Sequence, residues 1–296
     1  MTTSQFTDIF FHQNNNINQN FSKRINQLRK ALDKAEYVLI GAGSGLSTAA
    51  GLNYGCNRFE ENFPDFKARY NISDMYAAMF YPFQTAEEKW AYVARHIRLN
   101  RFDNDDCLSL YCELYKLVKN KPYFVITTNV DGLFEKSGFE RDRIFAVQGD
   151  YGLIQCSRAC HDTLYHDEEF VRRACEAIIG CRIPTELVPI CPVCGEPMEV
   201  NIRRDRYFVE DSHWHESARR YESFVEKVLG NPTLLLELGV GYNTPSIIRF
   251  PFERMALRGK NVTLARMNRD FSDQQSYISD FIPFTEDIPS ILTAIS

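Results

Sequence analysis

What the chain lacks narrows it first. No apolar run approaches the roughly 18 residues that would cross a bilayer as a helix. The opening residues MTTSQFTDIFFHQNNN carry no basic start followed by an apolar signal segment. There is no excess of positive charge: 34 Lys and Arg against 39 Asp and Glu leave a formal net charge of -5. A general basic field for nucleic acid or an anionic membrane is thereby absent. No internal repeat is found. These absences lead us to expect a cytoplasmic protein with neither nucleic acid nor a membrane as partner.

What is there suits a globular protein: 296 residues, 44% of them hydrophobic, suffice for a sizeable core in one large domain or two modest ones. The nine cysteines are an odd number, and in a reducing compartment they read as thiols or metal ligands rather than as a disulfide framework. The Asn-rich beginning (Asn14, Asn15, Asn16, Asn18, Asn20) reads as a solvated tail. After it, Phe21, Ile25, Leu28 and Leu32 recur with helical spacing.

Tyr37–Ile40 then forms a short apolar strand that runs into Gly41-Ala42-Gly43-Ser44-Gly45-Leu46-Ser47. A strand, a glycine-rich turn and small residues opening a helix let the backbone approach a pyrophosphate, whose charge the helix start stabilises. A dehydrogenase fingerprint is not met, because G-x-G-x-x-G would need glycine at Leu46 or at Thr48. The alternative is a tight strand-to-helix turn with no ligand. Residues 52–104 are aromatic-rich with helical spacing at Trp90, Val93 and Ile97, and a further helix is expected from Leu108 to about Asn120.

Two strands, Tyr123–Ile126 and Ile144–Val147, each end in polar residues: Thr127, Thr128, Asn129 and Asp131 after the first, Gln148 and Asp150 after the second. In an open parallel sheet, ligands bind beyond the carboxyl ends of the strands, so these residues are site candidates. Thr233–Leu238 and Val262–Ala265 are further buried strands, ending in Gly239-Val240-Gly241 and in Met267-Asn268-Arg269-Asp270. The alternation of strand and helix predicts a doubly wound parallel α/β sheet.

Between these strands lie Cys156-Ser-Arg-Ala-Cys160 and Cys191-Pro-Val-Cys194-Gly195. Two close pairs separated by an insert can present four thiolates to one Zn²⁺, with no open position, so the metal is structural. His161, Cys175 and Cys181 are alternative ligands, and no motif for a catalytic zinc is seen. Met198–Ile202 and Tyr207–Val209 are expected to be strands flanking Arg203-Arg204-Asp205-Arg206. These arginines read as a solvated hairpin turn, or Arg203 reaches a phosphate or an acceptor carboxylate. His213 and His215 read as surface or capping residues preceding a helix that runs to a C-cap at Gly230.

With these pieces placed, the chain resembles the sirtuins, NAD-dependent protein deacylases and ADP-ribosyltransferases. The matching residues are Gly41-Ala42-Gly43 with Leu46-Ser47 to Gly51-Leu52, Thr127-Thr128-Asn129-Val130-Asp131-Gly132-Leu133, the two cysteine pairs, Gly239-Val240-Gly241 and Met267-Asn268-Arg269. The resemblance implies a Rossmann-type domain (21–52, 121–152 and 214–296), a helical module (53–120) and a zinc-binding insertion (153–212), with NAD and its substrate in a cleft. It places Gly41, Ala42, Gly43 and Ser47 at the phosphates, Gly239, Val240, Gly241, Asn268 and Arg269 on the adenosine side, and Thr128, Asn129, Asp131 and Gln148 at the nicotinamide ribose.

The sequence departs from the family pattern at several places. Ser44 and Gly45 look inserted, and Pro64-Asp65-Phe66-Lys67 follows a long insertion where the family has Pro-Asp-Phe-Arg. Gln148 stands where the deacylases carry the histidine of a His-Gly pair. A neutral amide cannot accept the proton that an imidazole takes from a ribose hydroxyl in deacylation, although it can hydrogen-bond that sugar. Loss of nicotinamide needs positioning and charge stabilisation more than a base. The Gln-Gly pair and the Gly-Ser-Gly-Leu-Ser motif resemble the macrodomain-linked microbial class. Membership implies ADP-ribosylation of a lipoyl-carrying H-like protein, reversed by a macrodomain hydrolase. Asn129, Asp131 and Gln148 are the expected catalytic residues. A residual deacylase or NAD glycohydrolase, and a non-catalytic NAD-binding sensor, are the alternatives.

Overall fold

The computed structural model describes residues 20–270 and 277–296; the asparagines from Asn14 to Asn18 lie outside the described residues. Strands are β1 (Tyr37–Ala42), β2 (Tyr123–Thr127), β3 (Ile144–Ala146), β4 (Gly149–Cys156), β5 (Tyr165–His166), β6 (Met198–Ile202), β7 (Thr233–Leu238), β8 (Val262–Met267) and β9 (Phe281–Phe284). The larger sheet has six strands in the order β3-β2-β1-β7-β8-β9, and the smaller has the order β5-β4-β6. The chain folds as two compact units: one holds the described residues up to Leu46, Glu113–Ile126 and those from Tyr221 onward, the other Ser47–Cys112 and Thr127–Arg220.

In the first unit, β1 pairs with β7, β7 with β8 and β8 with β9, all parallel. The apolar run Leu234, Leu235 and Leu236 is buried on both faces, as expected for a central parallel strand. Register aligns Ala42 with Leu238 and Leu238 with Met267. The turns that follow these residues therefore leave one edge of the sheet together. Helix 20–34 buries Ile25 and Leu28, and its Arg24 is tied to Glu286 at 2.6 Å.

The second unit is built on an aromatic core. Helices Cys56–Asn62, Pro64–Tyr70 and Ala86–Ile97 bring Phe59, Phe63, Phe66, Trp90 and Tyr92 to full burial. Their rings meet edge-on or offset, with Phe59 and Phe63 centroids 5.2 Å apart, the geometry that aromatic quadrupoles favour. Asp65, in the segment compared above with Pro-Asp-Phe-Arg, is paired with Arg95 by both carboxylate oxygens, at 2.7 and 3.1 Å. Phe66 beside it is core.

Three local expectations change. Tyr207–Val209 is not a strand, because two buried amides take its backbone groups. Gln155 accepts from Val209 N at 2.9 Å and donates to Tyr207 O at 2.7 Å, while Asn201 donates to Val209 O at 3.1 Å. The partner of β6 is instead β4, antiparallel. His213 and His215 lie inside the helix Ser212–Gly230 rather than before it, because the Asp211 carboxylate caps its first turn, accepting from Trp214 N at 2.8 Å. Gly230 is the last helical residue. No helix among the described residues is long and apolar enough to cross a membrane.

Candidate active site

The loop after β2 is fixed from within. Thr127 Oγ1 accepts the N–H of Asn129 at 3.0 Å, and Val130 O accepts from Tyr151 N at 3.0 Å. Asp131 is buried, with both carboxylate oxygens engaged: Ser47 Oγ donates to Oδ2 at 2.5 Å and Leu133 N donates to Oδ1 at 3.1 Å. Burial pushes its carboxyl up, the negative charge of Asp150 adds to that, and the two hydrogen bonds and Arg101 oppose it. Ser47, expected at the phosphates, thus directs its hydroxyl to Asp131 and stands 3.1 Å from the Tyr111 hydroxyl. Burial also raises the Tyr111 phenol, to which Asn129 hydrogen-bonds. Thr128 and Asn129 are half-buried.

Gln148 sits in a turn between β3 and β4. Its carbonyl accepts from Arg203 N at 2.9 Å. The next residue must be glycine: Gly149 has φ +96°, and a Cβ there would lie 1.9 Å from Asn201 O. The carbonyl of Val147 accepts from the Trp214 indole at 3.2 Å. Arg203 is neither in a hairpin turn nor fully solvated. Its guanidinium lies 4.2 Å from the Phe208 ring centroid and 5.5 Å from that of Trp214, and it is paired with Glu210.

A cavity of about 190 Å³ opens in this unit. Asn129, Asp131, Gly149 and Asp150 line it together with Asn201 and His213. Its wall is mostly apolar with a few convergent polar groups, the usual character of a small-molecule site.

In the other unit, the glycine-rich turns after β1 and β7 interlock. Gly239 has φ +61°, and a Cβ there would lie 2.3 Å from Leu46 N; one on Gly43 would lie 2.7 Å from Gly239 O. Gly43 N and Gly45 N already donate to Leu238 O and Gly239 O, each at 3.0 Å. Glycine is therefore required here for turn-on-turn packing as well as for approach to any ligand. Gly41 is closed off by Ile248 and Phe252, whereas Gly241 faces open space. Asn268 Nδ2 donates to Val240 O at 2.8 Å and joins the ends of β7 and β8. Ala42 is buried in β1, and Arg269 is exposed beside Asp270 at 3.5 Å.

The four cysteines converge. Sγ atoms of Cys156 and Cys194 are 3.6 Å apart, those of Cys160 and Cys191 3.7 Å, and all four lie within 4.8 Å of one another. Thiolates at about 2.3 Å from a tetrahedral zinc are spaced in this way, so the residues fit one structural Zn²⁺. The wider first pair is accommodated by Ala159 at φ +48°, and the second turns at Gly195, φ +75°. Cys181 packs with Asp65 and Cys175 with Arg98, away from this cluster. His161 Nδ1 lies 3.0 Å from Cys160 Sγ.

Sequence reasoning missed the charged groups behind these sites. Arg101 forks onto Asp150 at 2.6 and 3.2 Å. Glu237, in the middle of the apolar run TLLLEL, is fully buried. It takes a two-point pair from Arg266 of β8 at 2.7 and 3.0 Å, with Glu253 sharing that guanidinium at 2.7 Å. The signal was there: a carboxylate within a buried strand requires a cation opposite.

The chain resembles characterised proteins along most of its length. It is 38% identical, over 92% of its residues and 87% of the other chain, to the protein ADP-ribosyltransferase of Staphylococcus aureus. It is 30% identical, over 78% of its residues and 40% of the other chain, to a probable bifunctional ADP-ribose hydrolase/ADP-ribosyltransferase of Fusarium oxysporum f. sp. cubense. Among solved structures, Sir2Tm bound to a propionylated peptide matches with TM-score 0.55 at 16% identity, covering 92% of this chain and 99% of that one. A Sir2 homologue–NAD complex matches with TM-score 0.55 at 13% identity over 91% of each chain. At such identities the likeness establishes the fold. No family model matches.

Proposed function

Because this chain belongs to the sirtuin-fold protein ADP-ribosyltransferases, enzymes that use NAD⁺ as co-substrate, we propose that it modifies a lipoyl-carrying H-like protein. We further propose that it works in the cytoplasm and that a macrodomain-type hydrolase removes the product. The bifunctional hydrolase/transferase relative supports that last link.

In this reading the bond between the nicotinamide nitrogen and the ribose carbon breaks, its electron pair goes to the ring nitrogen, and nicotinamide leaves neutral. An acceptor side chain of the partner protein then bonds to the ribose carbon through an oxygen, nitrogen or sulfur atom, and any proton on that atom goes to water. Asn129 and Asp131 position the nicotinamide ribose and carboxamide. Asp131 is suited to that task because Ser47 and the Leu133 N–H hold both its oxygens, so it does not have to reorganise when charge develops. Gln148 holds the ribose hydroxyls, and Thr128 is a further residue of the NAD⁺ site. The backbone of the turn that begins at Gly41, Ala42 and Gly43 is the phosphate side, Gly239, Val240, Gly241, Asn268 and Arg269 the adenosine side, and Arg203 the acceptor side. The four cysteines hold zinc that keeps the module folded and takes no part in the reaction.

The observation that carries transfer over deacylation is Gln148. Its side chain is a neutral amide, which cannot take the proton that deacylation requires a base to accept. Incubation with labelled NAD⁺ and a lipoylated carrier protein tests it. Label on the carrier with stoichiometric nicotinamide release is expected; efficient removal of acyl groups from lysine with no label on protein would overturn it. Asn129→Ala should abolish labelling while the far-UV circular dichroism is unchanged. Retained labelling would remove Asn129 from its role.

A further inference from the structure

Asp167 is a carboxyl with no exposed surface, and neither of its oxygens has a hydrogen-bond partner. Such a group is rare in a fold and costly when charged. Its position is fixed by the backbone: Asp167 N donates to Gly152 O at 3.2 Å. Gly152 N in turn donates to Asp150 Oδ1 at 2.6 Å, and a Cβ on Gly152 would lie 3.3 Å from Arg101 Nε. Arg101 is likewise pressed against Gly132, where a Cβ would meet its Cζ at 2.3 Å. One guanidinium therefore lies between Gly132, next to Asp131, and Gly152, whose carbonyl accepts from the backbone N–H of Asp167. Through Asp150 it braces a stretch of cavity wall that Gly132, Asp131 and Asp150 form.

We propose that Asp167 is a positioning residue for the transfer reaction and acts through Arg101: protonated, it leaves the guanidinium to Asp150; ionised, it competes for that guanidinium and slackens the wall at Asp150 and Gly132. This rests on the transferase reading above. The charges that act on Asp167 are Asp150 on β4, Arg101 on the segment Arg98–Phe102, and Glu168, the first residue of the helix Glu168–Glu176 that Asp167 precedes. Burial and the negative charge of Asp150 push its carboxyl up to about 8, against the pull of Arg101. At neutral pH the group is therefore mostly uncharged and leaves the Arg101 fork to Asp150, with Glu135, 3.8 Å away, the other carboxylate beside that guanidinium. The proton it releases at higher pH goes to water, and no other group need change.

The test uses the full chain with NAD⁺ and the lipoylated carrier, comparing Asp167→Asn with the native protein. Between about pH 7 and about pH 9 the native rate should fall about ten-fold, following a single ionisation. In Asp167→Asn, whose amide cannot ionise, the fall should be less than about two-fold. Arg101→Lys keeps the charge but loses the fork; it should lower kcat at every pH and leave the KM for NAD⁺ nearly unchanged. A merely structural Asp167 would leave the pH profile of its variant like the native one, and that result would overturn the proposal. A second measurement is independent of turnover: NMR of protein carrying ¹³C-labelled aspartate, followed with the Arg101 Nε–H resonance. A carboxyl and that N–H titrating together above neutrality support the proposal, even if no protein is ever labelled and the transferase reading fails. An Arg101 resonance that does not move over this range sinks it, as it would if Asp167→Asn did not fold and the native protein alone were measured.

Discussion

Ser47 Oγ lies 2.5 Å from Asp131 Oδ2, and both residues are buried. A serine that the glycine-rich motif suggests for phosphate contact is thereby the hydrogen-bond donor to a carboxylate eighty-four positions away. Removing the hydroxyl leaves a buried carboxylate oxygen without its donor, a loss of about 1–3 kcal/mol.

Ser47→Ala should therefore lower the transfer rate by about ten- to a hundred-fold. The direction in pH follows from Asp131, whose carboxyl is already held above the usual range and loses an opposing hydrogen bond. The acid limb of the rate should move to higher pH in the variant. Steady-state rates across the acid range check this; an unmoved limb would mean that Ser47 does not tune Asp131.

Asp167 has a consequence for stability. Its carboxyl is raised in the fold to about 8, whereas an unfolded aspartate titrates at about 3.9. The folded state thus binds a proton that the unfolded state has released, so its contribution is complete below about pH 4 and is lost as pH rises to about pH 8. Asp167→Asn does not carry this loss. Its advantage over the native protein should widen across that window to a few kcal/mol, measured by urea denaturation at successive pH values. A constant difference would show that Asp167 is charged in the fold.

Cys191 is a buried member of the thiolate cluster, 3.7 Å from Cys160. Cys191→Ser should reduce bound zinc from one per chain to a small fraction. Because zinc binding and the folding of such a module are one equilibrium, β4 and β6 should lose amide protection in the variant. Metal analysis together with hydrogen exchange reads both. Full zinc content in the variant would place the metal elsewhere.

Gly239→Ala should destabilise the protein by about 2–4 kcal/mol, because it forces a left-handed φ on alanine and drives Cβ into backbone that cannot move aside. The atoms met are Leu46 N at 2.3 Å and Gly45 C at 2.4 Å. Gly241→Ala, with open space around it, is the control and should cost less than about 1 kcal/mol. Equal midpoints of thermal unfolding for the two variants would contradict the interlocking of the turns.

Much of the fold is legible in the amino-acid order, because strand and helix follow from local periodicity. The runs YVLI, YFVI and TLLLEL, and the helical spacing at Ile25 and Leu28, lie where those patterns place them. The four cysteines are legible for a related reason: metal ligation restricts spacing within each pair, and zinc chemistry supplies the link between pairs. The Gln-Gly turn could also be read in advance, since the absence of an imidazole is a fact of residue type.

The remainder depends on contacts between distant positions, which no local pattern encodes. Whether Tyr207–Val209 joined a ladder was decided by Gln155 and Asn201, whose amides reach its backbone first. That Ser47 serves Asp131, that Arg266 neutralises Glu237, and that the carboxyl of Asp167 is left without a hydrogen-bond partner were all decided by tertiary structure. A polar group's role is set by what surrounds it once water is excluded, and those surroundings exist only in the folded chain.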